Sequence, residues 1–576
     1  MKSTYANALL GTMAVAAVNF AASAAVINVG DPAAGVQAAD RIDTSVTWNA
    51  NNTYNLRDQI YVENGATLTI QAGTVIASTS TVDGSGSLAI ARGSKIIAIG
   101  TEAEPIIFTS SEDVATWTND PSHPTGKNPK SGTLRAGAGI GANEWGNITI
   151  MCAGFVSQNC AANPNFGNPS ALTCNVSNEA TMEGLDTGPI ALRRYGGNQE
   201  NDDSGTLRYV SLRYGGRVVG LTNELNGLSL GGVGRATDID HIEIMNNVDD
   251  GIEIWGGNVN IKHFSIWNVG DDSVDVDQGW RGKAQFGLIV QGYSTNASQG
   301  SGTGDNCFEL DGAETADAQP VTTATFYNMT VIGQPVSGDE GTAWRDNARA
   351  QFRNCIFMNI GEQIIQDECA DNCSANQNYG FNGTFTFAQT WSTSYTGSWA
   401  AAGNPNLCGS AINRYEAQSA GDASIGQGFL AEMTDTVFYQ NSASAYGLGS
   451  VSGGPPAQCL PTNGANSLGV TVAGDDAPLK GNVVAASMPI KSLTRGRVVN
   501  PIAGLTMLPV TKIDPRAAND ALVSEAAAPN DGFFTVANYR GAFSATDNWL
   551  CGWSAASAFG LLEAVSCVED CPSDTN

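Results

Sequence analysis

The sequence predicts an all-β fold, a right-handed parallel β-helix (a solenoid) whose successive coils stack along one axis. Three observations support this prediction: short runs that alternate apolar and polar residues, glycine or asparagine where those runs end, and internal repeats of 20 and 22 residues. Helical periodicity is nearly absent. One such repeat suits one coil of a solenoid, whereas a propeller blade needs four antiparallel strands in about 40 residues.

The repeats occur in two parts of the chain. Residues 67–76 align with residues 87–96 at an offset of 20. Further along, two different motifs repeat at an offset of 22, namely residues 240–244 with 262–266 and residues 249–254 with 271–276. Two motifs that share one period indicate consecutive coils, whose equivalent residues lie about 4.8 Å apart.

Irregular stretches rich in Asn, Ser, Gly and Pro interrupt the pattern, and an aromatic segment follows near the carboxyl end. We interpret the stretches as long loops, and the aromatic segment as a cap on the open end of the stack. The predicted organisation is a signal peptide (1–24), N-terminal coils (25–110), a loop-rich insertion (111–205), central coils (206–365), a Cys-containing insertion (366–480), and C-terminal coils with the aromatic cap (481–576).

The amino end has the features of a secretory signal. Lys2 precedes an uncharged apolar stretch, and small residues surround the expected cleavage point after Ala24. No later segment is long and apolar enough to span a bilayer. The mature chain holds all 12 cysteines. In an exported protein this even number predicts disulfides that pin the long loops, including the neighbours Cys152, Cys160 and Cys174, and the group Cys551, Cys567 and Cys571.

The excess of acidic over basic side chains limits the classes of molecule that the protein can be expected to bind. The chain of 576 residues carries 56 acidic and 28 basic side chains, a formal net charge of −28. Nucleic acid and anionic membrane need a basic surface, so the composition excludes both as expected partners.

Five segments together resemble a widespread, mostly uncharacterised family of secreted right-handed β-helix surface proteins of Gram-negative bacteria. They are residues 60–76, 105–110, 207–216, 246–253 and 539–543. The resemblance implies the fold, export, and an extracellular or outer-surface location. It implies no catalytic residues.

A second resemblance concerns chemistry. Asn247-x-Asp249-Asp250-Gly251, followed one coil later by Gly270-Asp271-Asp272, is similar to the two acidic motifs of the polygalacturonase family of glycoside hydrolases. The chain lacks the Gly-His-Gly and Arg-Ile-Lys motifs of that family. The resemblance implies Asp249, Asp250, Asp271 and Asp272 as catalytic candidates, because an inverting glycosidase needs an acid and a base about 6.5–9.5 Å apart.

The polarity pattern after these motifs predicts a stack of carboxylates. If the apolar residues face the core, Glu253, Asp275 and Glu309 stack in one outward row. Carboxylates about 5 Å apart repel each other unless they are protonated, paired or bridged by a cation. Calcium fits such an oxygen-rich surface, and its candidate ligands are Glu253, Asp275, Asp277, Asp305, Glu309 and Asp311.

Other residues near this acidic stretch are candidates for ligand contact. Trp255, Trp280 and Tyr293 are candidate sugar platforms, although aromatic residues also serve simply as packing. Arg281 and Lys283, together with Arg345, are candidate counter-charges, and a lyase would need one of them as a base. His241 and His263 occupy equivalent positions on adjacent coils, where they form either a surface stack or a pair of metal ligands.

The sequence therefore predicts a secreted or cell-surface β-helix protein with a binding or structural role, assisted by calcium and directed at polysaccharide or extracellular matrix. The alternative is a polysaccharide-degrading hydrolase or lyase that uses the acidic cluster. A third reading treats the carboxylates as a solvated acidic face with no ligand. A flat, open face would favour binding or structure, and a concave groove lined by aromatic residues would favour an enzyme.

Overall fold

The structure is a computed structural model of the chain. The described residues are 25–33, 35–80, 86–123, 125–135, 141–157, 179–185, 188–220, 223–292, 304–313, 320–336, 338–346, 348–367, 390–391, 429–442, 481–499, 506–524, 528 and 530–567. The predicted signal peptide and Tyr293 lie outside them, as do Cys160, Cys174 and Cys571.

Short strands dominate the described chain, as the alternating polarity predicts. The first half contains β1 (Ala25–Val29), β2 (Arg41–Ile42), β3 (Val46–Trp48), β4 (Asn52–Leu56), β5 (Gln59–Val62), β6 (Thr67–Ile70), β7 (Val75–Ser78), β8 (Ser87–Ile90), β9 (Lys95–Ile99), β10 (Ile106–Ser110), β11 (Ile148–Met151), β12 (Ala180–Thr181), β13 (Arg194–Tyr195), β14 (Gly205–Arg213), β15 (Arg217–Gly220), β16 (Asn223–Leu225), β17 (Leu228–Gly231), β18 (Asp238–Met245), β19 (Ile252–Trp255) and β20 (Asn260–Trp267).

The second half continues with β21 (Val274–Asp277), β22 (Lys283–Val290), β23 (Phe308–Asp311), β24 (Thr323–Ile332), β25 (Ala343–Arg345), β26 (Arg349–Arg353), β27 (Ile356–Met358), β28 (Gln366–Asp367), β29 (Glu432–Thr434), β30 (Val437–Tyr439), β31 (Val483–Val484), β32 (Ile490–Arg495), β33 (Val498–Val499), β34 (Thr506–Met507) and β35 (Val510–Ala517). The helices are α1 (Ser111–Thr116), α2 (Ile190–Arg193), α3 (Ala555–Ala558), and 3₁₀ turns at Ala38–Asp40, Asn519–Ala521 and Ala564–Cys567.

Two parallel sheets form the walls of the solenoid, and the predicted parallel β-helix is confirmed. Over the described residues, a large sheet has 17 strands and a second sheet has 10. One coil of the central region runs through β18 of the large sheet and then β19 of the second sheet, and the next coil runs through β20 and β21. The core lies between the sheets, where rows such as Ile252, Val274 and Phe308 stack from coil to coil.

The strand register confirms one predicted repeat and corrects the other. Ile252 pairs with Val274, so the offset of 22 is the true length of this coil. Near the amino end, Gln59 pairs with Ser87 and Thr67 pairs with Lys95, an offset of 28 in both cases. The alignment at offset 20 was wrong because it matched β6 of the large sheet with β8 of the second sheet, two strands with the same polarity pattern on different walls.

A bend divides the long strands of the large sheet. At the same point of successive coils, one residue adopts positive φ and is skipped in the pairing, as between Arg208 and Val210. The residues at this bend are Tyr209, His241, His263, Phe286 and Asn328, with φ between 48° and 60°. Their side chains therefore leave the strand in the same direction and form a stack on the outside of the large sheet.

The insertion 111–205 and the C-terminal segment both make more contacts with the solenoid than their composition suggests. The insertion 111–205 supplies β11, which pairs between β8 and β17 in the second sheet. The C-terminal segment forms antiparallel pairs, β32 with β35 and β33 with β34. Its aromatic part lies along the outer face of the large sheet instead of over an end, because Trp549 and Trp553 pack with residues such as Trp267 in one buried cluster.

The cysteines follow the disulfide prediction only in part. Cys551 and Cys567 form a disulfide within the C-terminal segment. Cys152, Cys307 and Cys355 are reduced and buried, so the prediction that Cys152 pins a loop was wrong. Cys152 has no exposed surface and lies 2.6 Å from the Ser204 hydroxyl, so it serves as a small core residue.

Within the described chain, no helix has the length and apolar character needed to cross a bilayer.

Candidate functional site: the acidic ladder

The strand register stacks the predicted carboxylates on one wall. Glu253 of β19 pairs with Asp275 of β21, and Asp275 pairs with Glu309 of β23. On the same face, Trp255 pairs with Asp277, and Asp311 pairs with Arg345 of β25. We call Glu253, Asp275 and Glu309 the acidic ladder. Strand alternation dictates this arrangement, because the apolar residues between them point into the core.

The corner before these strands carries two further rows of polar residues, which we call the acidic corner. The register of the strands extends the outer row through Asp249, Asp271, Asp305, Asp339 and Glu362. The inner row is Asp250, Asp272, Asn306, Glu340 and Gln363. The corner thus extends through five coils, two beyond the stretch that the sequence predicted. Asp339, Glu340 and Glu362 lie far along the sequence from the two acidic motifs. Only their position before β25 and β28 shows that they belong to the acidic corner.

Residues from the insertion and from a neighbouring hairpin complete the cluster. The carboxyl groups of Glu183 and Glu253 share a hydrogen bond, and the charge of Glu224 acts on Glu183. Asn226 connects these groups, because its Nδ2 donates to Glu253 and its Oδ1 accepts from the amide N–H of Asp250 at 3.2 Å. No motif in the sequence marks Glu183 or Glu224, which reach the ladder through the folding of the loops.

Three groups of three carboxylates in this region have oxygens close enough to hold a metal ion. In each group, one oxygen from every member lies within 4.8 Å of the others. The groups are Asp249 with Asp250 and Asp271, Asp250 with Glu253 and Asp275, and Asp271 with Asp272 and Asp305. A fourth such group, Asp339 with Glu340 and Glu362, lies at the far end of the acidic corner.

Burial and mutual repulsion both raise the pKa of these carboxyl groups. Loss of hydration raises the pKa of Asp250, Glu253 and Asp272 well above the ordinary value, and the neighbouring carboxylates raise it further. The same causes raise the pKa of Asp271 to about 7 and that of Glu183 to about 8. Near neutral pH, several of these groups hold a proton unless a cation replaces it.

Of the three candidate counter-charges, only Arg345 lies on the ladder. Its guanidinium contacts Glu309 and donates from Nε to Asp311 at 3.0 Å. Arg281 is fully buried and binds both carboxylate oxygens of Glu200, at 2.9 and 3.0 Å. Both Arg281 and Lys283 lie away from the ladder, which corrects their prediction as ligand contacts.

Lys283 belongs to the opposite wall. It begins β22 of the large sheet, and its Nζ donates to Asp531 of the C-terminal segment at 2.7 Å. Because this ion pair is buried, Lys283 joins the C-terminal segment to the solenoid and has little surface to offer a ligand.

The predicted aromatic platforms are also structural. Trp280 has no exposed surface, packs against Phe326 in the core, and donates from Nε1 to the carbonyl of Val259 at 3.0 Å. Trp255 is 5% exposed and packs beside Tyr195 beneath the insertion. Neither ring presents a face to solvent, so among the described residues no aromatic platform accompanies the acidic ladder.

The remaining predicted positions stay near the surface. Asp271, Asp277, Asp305, Glu309 and Asp311 are half-buried, whereas Asp249, Asp250 and Asp272 are buried. The site therefore has a buried layer of carboxylates beneath a partly exposed one.

Comparison with known proteins gives one match. The family model described as the pectate-lyase-like β-helix domain matches residues 40–119 and 171–424, more than half of the chain. No curated protein and no solved structure matches. The match suggests a role related to polysaccharide and leaves binding and catalysis open. The chain belongs to the pectate-lyase-like β-helix domain family.

Proposed function

We propose that the chain is an exported protein that binds acidic polysaccharide at the outer surface of a Gram-negative cell through calcium ions held by the acidic ladder and acidic corner. The observation that carries this proposal is the register of Glu253, Asp275 and Glu309, which concentrates carboxylates on one wall beyond what the contacting Arg345 can neutralise.

The donor set suits calcium. Calcium takes six to eight oxygen ligands at irregular angles, and carboxylates and amide oxygens are its usual ligands. Two buried oxygens in this region, Oδ1 of Asp275 and Oδ1 of Asn306, have no hydrogen-bond partner. The residues that would hold the central ion are Asp250, Glu253 and Asp275. The ion would supply the positive charge that allows these buried carboxyls to ionise.

An acidic polymer is the partner that this arrangement favours. A calcium ion held from one side by protein carboxylates keeps coordination positions for a second set of oxygens, such as uronate groups. A ligand can approach at the half-buried carboxylates, Asp271 and Asp305 of the acidic corner and Asp277 at the end of β21. Without calcium, the same carboxylates would repel an acidic polymer, so binding should require the ion.

One observation favours a lyase as the second candidate. Arg345 lies at the edge of the ladder, beside the positions proposed for calcium. In a lyase, a base removes the proton next to the uronate carboxylate, and the glycosidic oxygen leaves with the bonding electrons. The two carboxylates that contact Arg345 assign it first to charge neutralisation. The burial of Trp255 and Trp280 removes the aromatic groove that would favour an enzyme.

The test measures thermal unfolding of the mature protein in calcium and in chelator, together with its retention on immobilised polygalacturonate. Calcium at about 100 times its dissociation constant should stabilise the folded state by about 2.7 kcal/mol. Replacing Glu253 with Gln and Asp275 with Asn should abolish both the shift and the retention. Replacing the exposed Asp43 with Asn is the matched control and should preserve both.

Each result of these experiments bears on a different part of the proposal. No calcium-dependent shift in the unmodified protein would overturn the calcium site, and equal retention in chelator would overturn its role in binding. Products with an unsaturated end, formed by the unmodified protein and lost on Arg345→Lys, would establish the lyase instead.

A further inference from the structure

A cavity lies on the outside of the large sheet, on a different wall of the solenoid from the acidic ladder. It has a volume of about 330 Å³ and separates the bend of the large sheet from the C-terminal segment. The sheet contributes Tyr209, His241 and His263, and the segment contributes Trp549 and the disulfide Cys551–Cys567. Glu102 and Asp547 also line it.

The bend arranges the cavity wall as a stack of rings. The ring centroids of Tyr209 and His241 are 4.3 Å apart, and those of His241 and His263 are 4.4 Å apart. Trp549 meets both imidazoles edge to face, at 5.9 and 5.4 Å. Trp549 also stacks on Phe543, with the ring centroids 5.0 Å apart, which fixes the indole in place.

One carboxylate contacts both histidines. Nδ1 of His241 and Nδ1 of His263 lie 2.7 and 2.8 Å from the same oxygen, Oδ1 of Asp240. Burial acts to raise the pKa of Asp240, but the hydrogen bonds from the two rings outweigh it and lower this pKa, so the carboxylate stays ionised and accepts a hydrogen bond from each Nδ1–H. Burial lowers the pKa of His263, which keeps that imidazole neutral near pH 7.

Asp240, His241 and His263 also form a group of three possible metal ligands, because one ligand atom from each lies within 4.8 Å of the others. A metal must lie in the plane of each imidazole that binds it. Although the planes of His241 and His263 are only 26° apart, both Nδ1 atoms converge on Oδ1 of Asp240, at 2.7 and 2.8 Å, and their hydrogen bonds to that carboxylate account for this arrangement.

The charged groups that line the cavity are carboxylates, and its uncharged polar residues include Thr546, Asn548 and Ser566. Glu102 and Asp547 are exposed carboxylates, and none of the described lining residues is Lys or Arg. Nearby cations have partners elsewhere: Nζ of Lys130 donates to the carbonyl of Glu102 at 3.1 Å, and Nζ of Lys262 donates to the carbonyl of Phe533 at 2.7 Å. Tyr209 and Trp549 add π-systems, which attract cations.

We propose that this cavity binds small organic ammonium ions, whose N–H groups donate hydrogen bonds to Glu102, Asp547 and the imidazole of His263 while their charge lies beside Trp549. The two carboxylates accept hydrogen bonds and the rings attract a positive charge, and the hydroxyls of Tyr209 and Thr546 can accept as well as donate. The site is independent of the proposed polysaccharide site, because the two lie on different sheets.

The chain is suited to a direct test, since it contains only 3 histidines. The experiment labels histidine with ¹³C at Cε1 in the full mature chain and adds 1,4-diammoniobutane, with butane-1,4-diol as the uncharged analogue. The diammonium ion should shift the signals of His241 and His263 and leave that of His123, which does not line the cavity, unchanged. The diol should shift none of them.

Matched variants locate the binding. The double variant Glu102→Gln, Asp547→Asn should weaken binding about tenfold, as expected for the loss of two exposed charge contacts. The variant Asp43→Asn, Asp520→Asn removes the same net charge elsewhere and should bind as the unmodified protein does. The ladder variant Glu253→Gln, Asp275→Asn should also bind unchanged, so this proposal and the calcium proposal fail separately.

Three results would overturn the assignment. Equal shifts with the diol would make the cavity a site for neutral polyols. Shifts that vanish in the ladder variant and persist in the cavity variant would place the ion at the ladder. No shift of His241 or His263 at any concentration of the diammonium ion would show that the cavity binds no such ligand.

Discussion

The two sides of the solenoid bury charged groups in different ways. On the large-sheet side, buried carboxylates meet partners from the protein itself: Arg353 binds Glu432, Arg540 binds Asp435, and Arg516 binds Asp514 through two hydrogen bonds. On the second-sheet side, the buried carboxylates lie mainly against one another, and burial together with the neighbouring carboxylates raises the pKa of Asp250 and Glu253.

Glu243 shows how complete the pairing is on the large-sheet side. Its carboxylate has no exposed surface, and it accepts from the amide N–H groups of Ala555 and Ala556 at the start of α3 and from the Ser211 hydroxyl at 2.7 Å. The C-terminal segment therefore supplies donors as well as apolar contacts. The difference teaches that one stacking geometry serves two purposes, a docking surface where the protein supplies the partners and a candidate ion site where it does not.

The largest expected effect is on the large-sheet side. Replacing Arg353 with Met should lower the free energy of unfolding by about 3–5 kcal/mol, because Glu432 remains buried beside an uncharged side chain. Denaturant-induced unfolding measures this change. The matched control is Arg208→Met, which removes an exposed partner of Asp238 and should cost about 0–1 kcal/mol. Equal losses in the two variants would contradict the assignment of Arg353–Glu432 as a buried structural pair.

The second prediction concerns pH and the second-sheet side. The raised pKa values mean that the folded protein without calcium keeps protons that the unfolded chain has released. Its stability should therefore fall as the pH rises from about 4, where unfolded carboxyls titrate, to about 8, with a slope of about 1.4 kcal/mol per pH unit for each extra proton held. The window follows from Asp271, with a pKa of about 7, and Glu183, with a pKa of about 8.

Thermal unfolding in chelator across this range measures the slope, and saturating calcium should flatten it because the ion replaces the protons. Stability that rises with pH in chelator would show that the cluster is already neutralised by the protein.

The smallest effect compares the same substitution on the two sides. In chelator, Asp275→Asn should stabilise the protein by about 1 kcal/mol, because it removes a buried charge from among like charges. Asp514→Asn should instead destabilise it, because Arg516 loses both of its hydrogen bonds to a carboxylate. Calorimetry of the two variants measures whether each substitution stabilises or destabilises the folded protein. A loss of stability in both would remove the distinction between the sides.

Much of the acidic ladder could be predicted before the structure was considered. The alternation after Gly251 places Glu253 outward, and the offset of 22 places Asp275 beside it. The same reasoning failed for the aromatic and basic candidates. Trp280 and Arg281 lie in the turn between β21 and β22, where strand alternation gives no direction, and both side chains turn into the interior.

The cavity was beyond sequence reasoning for a related reason. The equivalence of His241 and His263 follows from the repeat, but the wall formed by Trp549 and Asp547 comes from a segment nearly 300 residues later. No local pattern specifies where such a segment lies. The same holds for Glu183, which a loop brings to the ladder.

The sequence by itself determined the all-β solenoid, the 22-residue coil of the central region and the row of Glu253, Asp275 and Glu309. These features depend on alternation and period, which are properties of neighbouring residues and of the spacing between strands. The tertiary structure alone decided which charges find partners, where the C-terminal segment lies and which rings enclose a cavity. Those outcomes depend on contacts between distant segments, whose free energy comes from burial and pairing that no local pattern encodes.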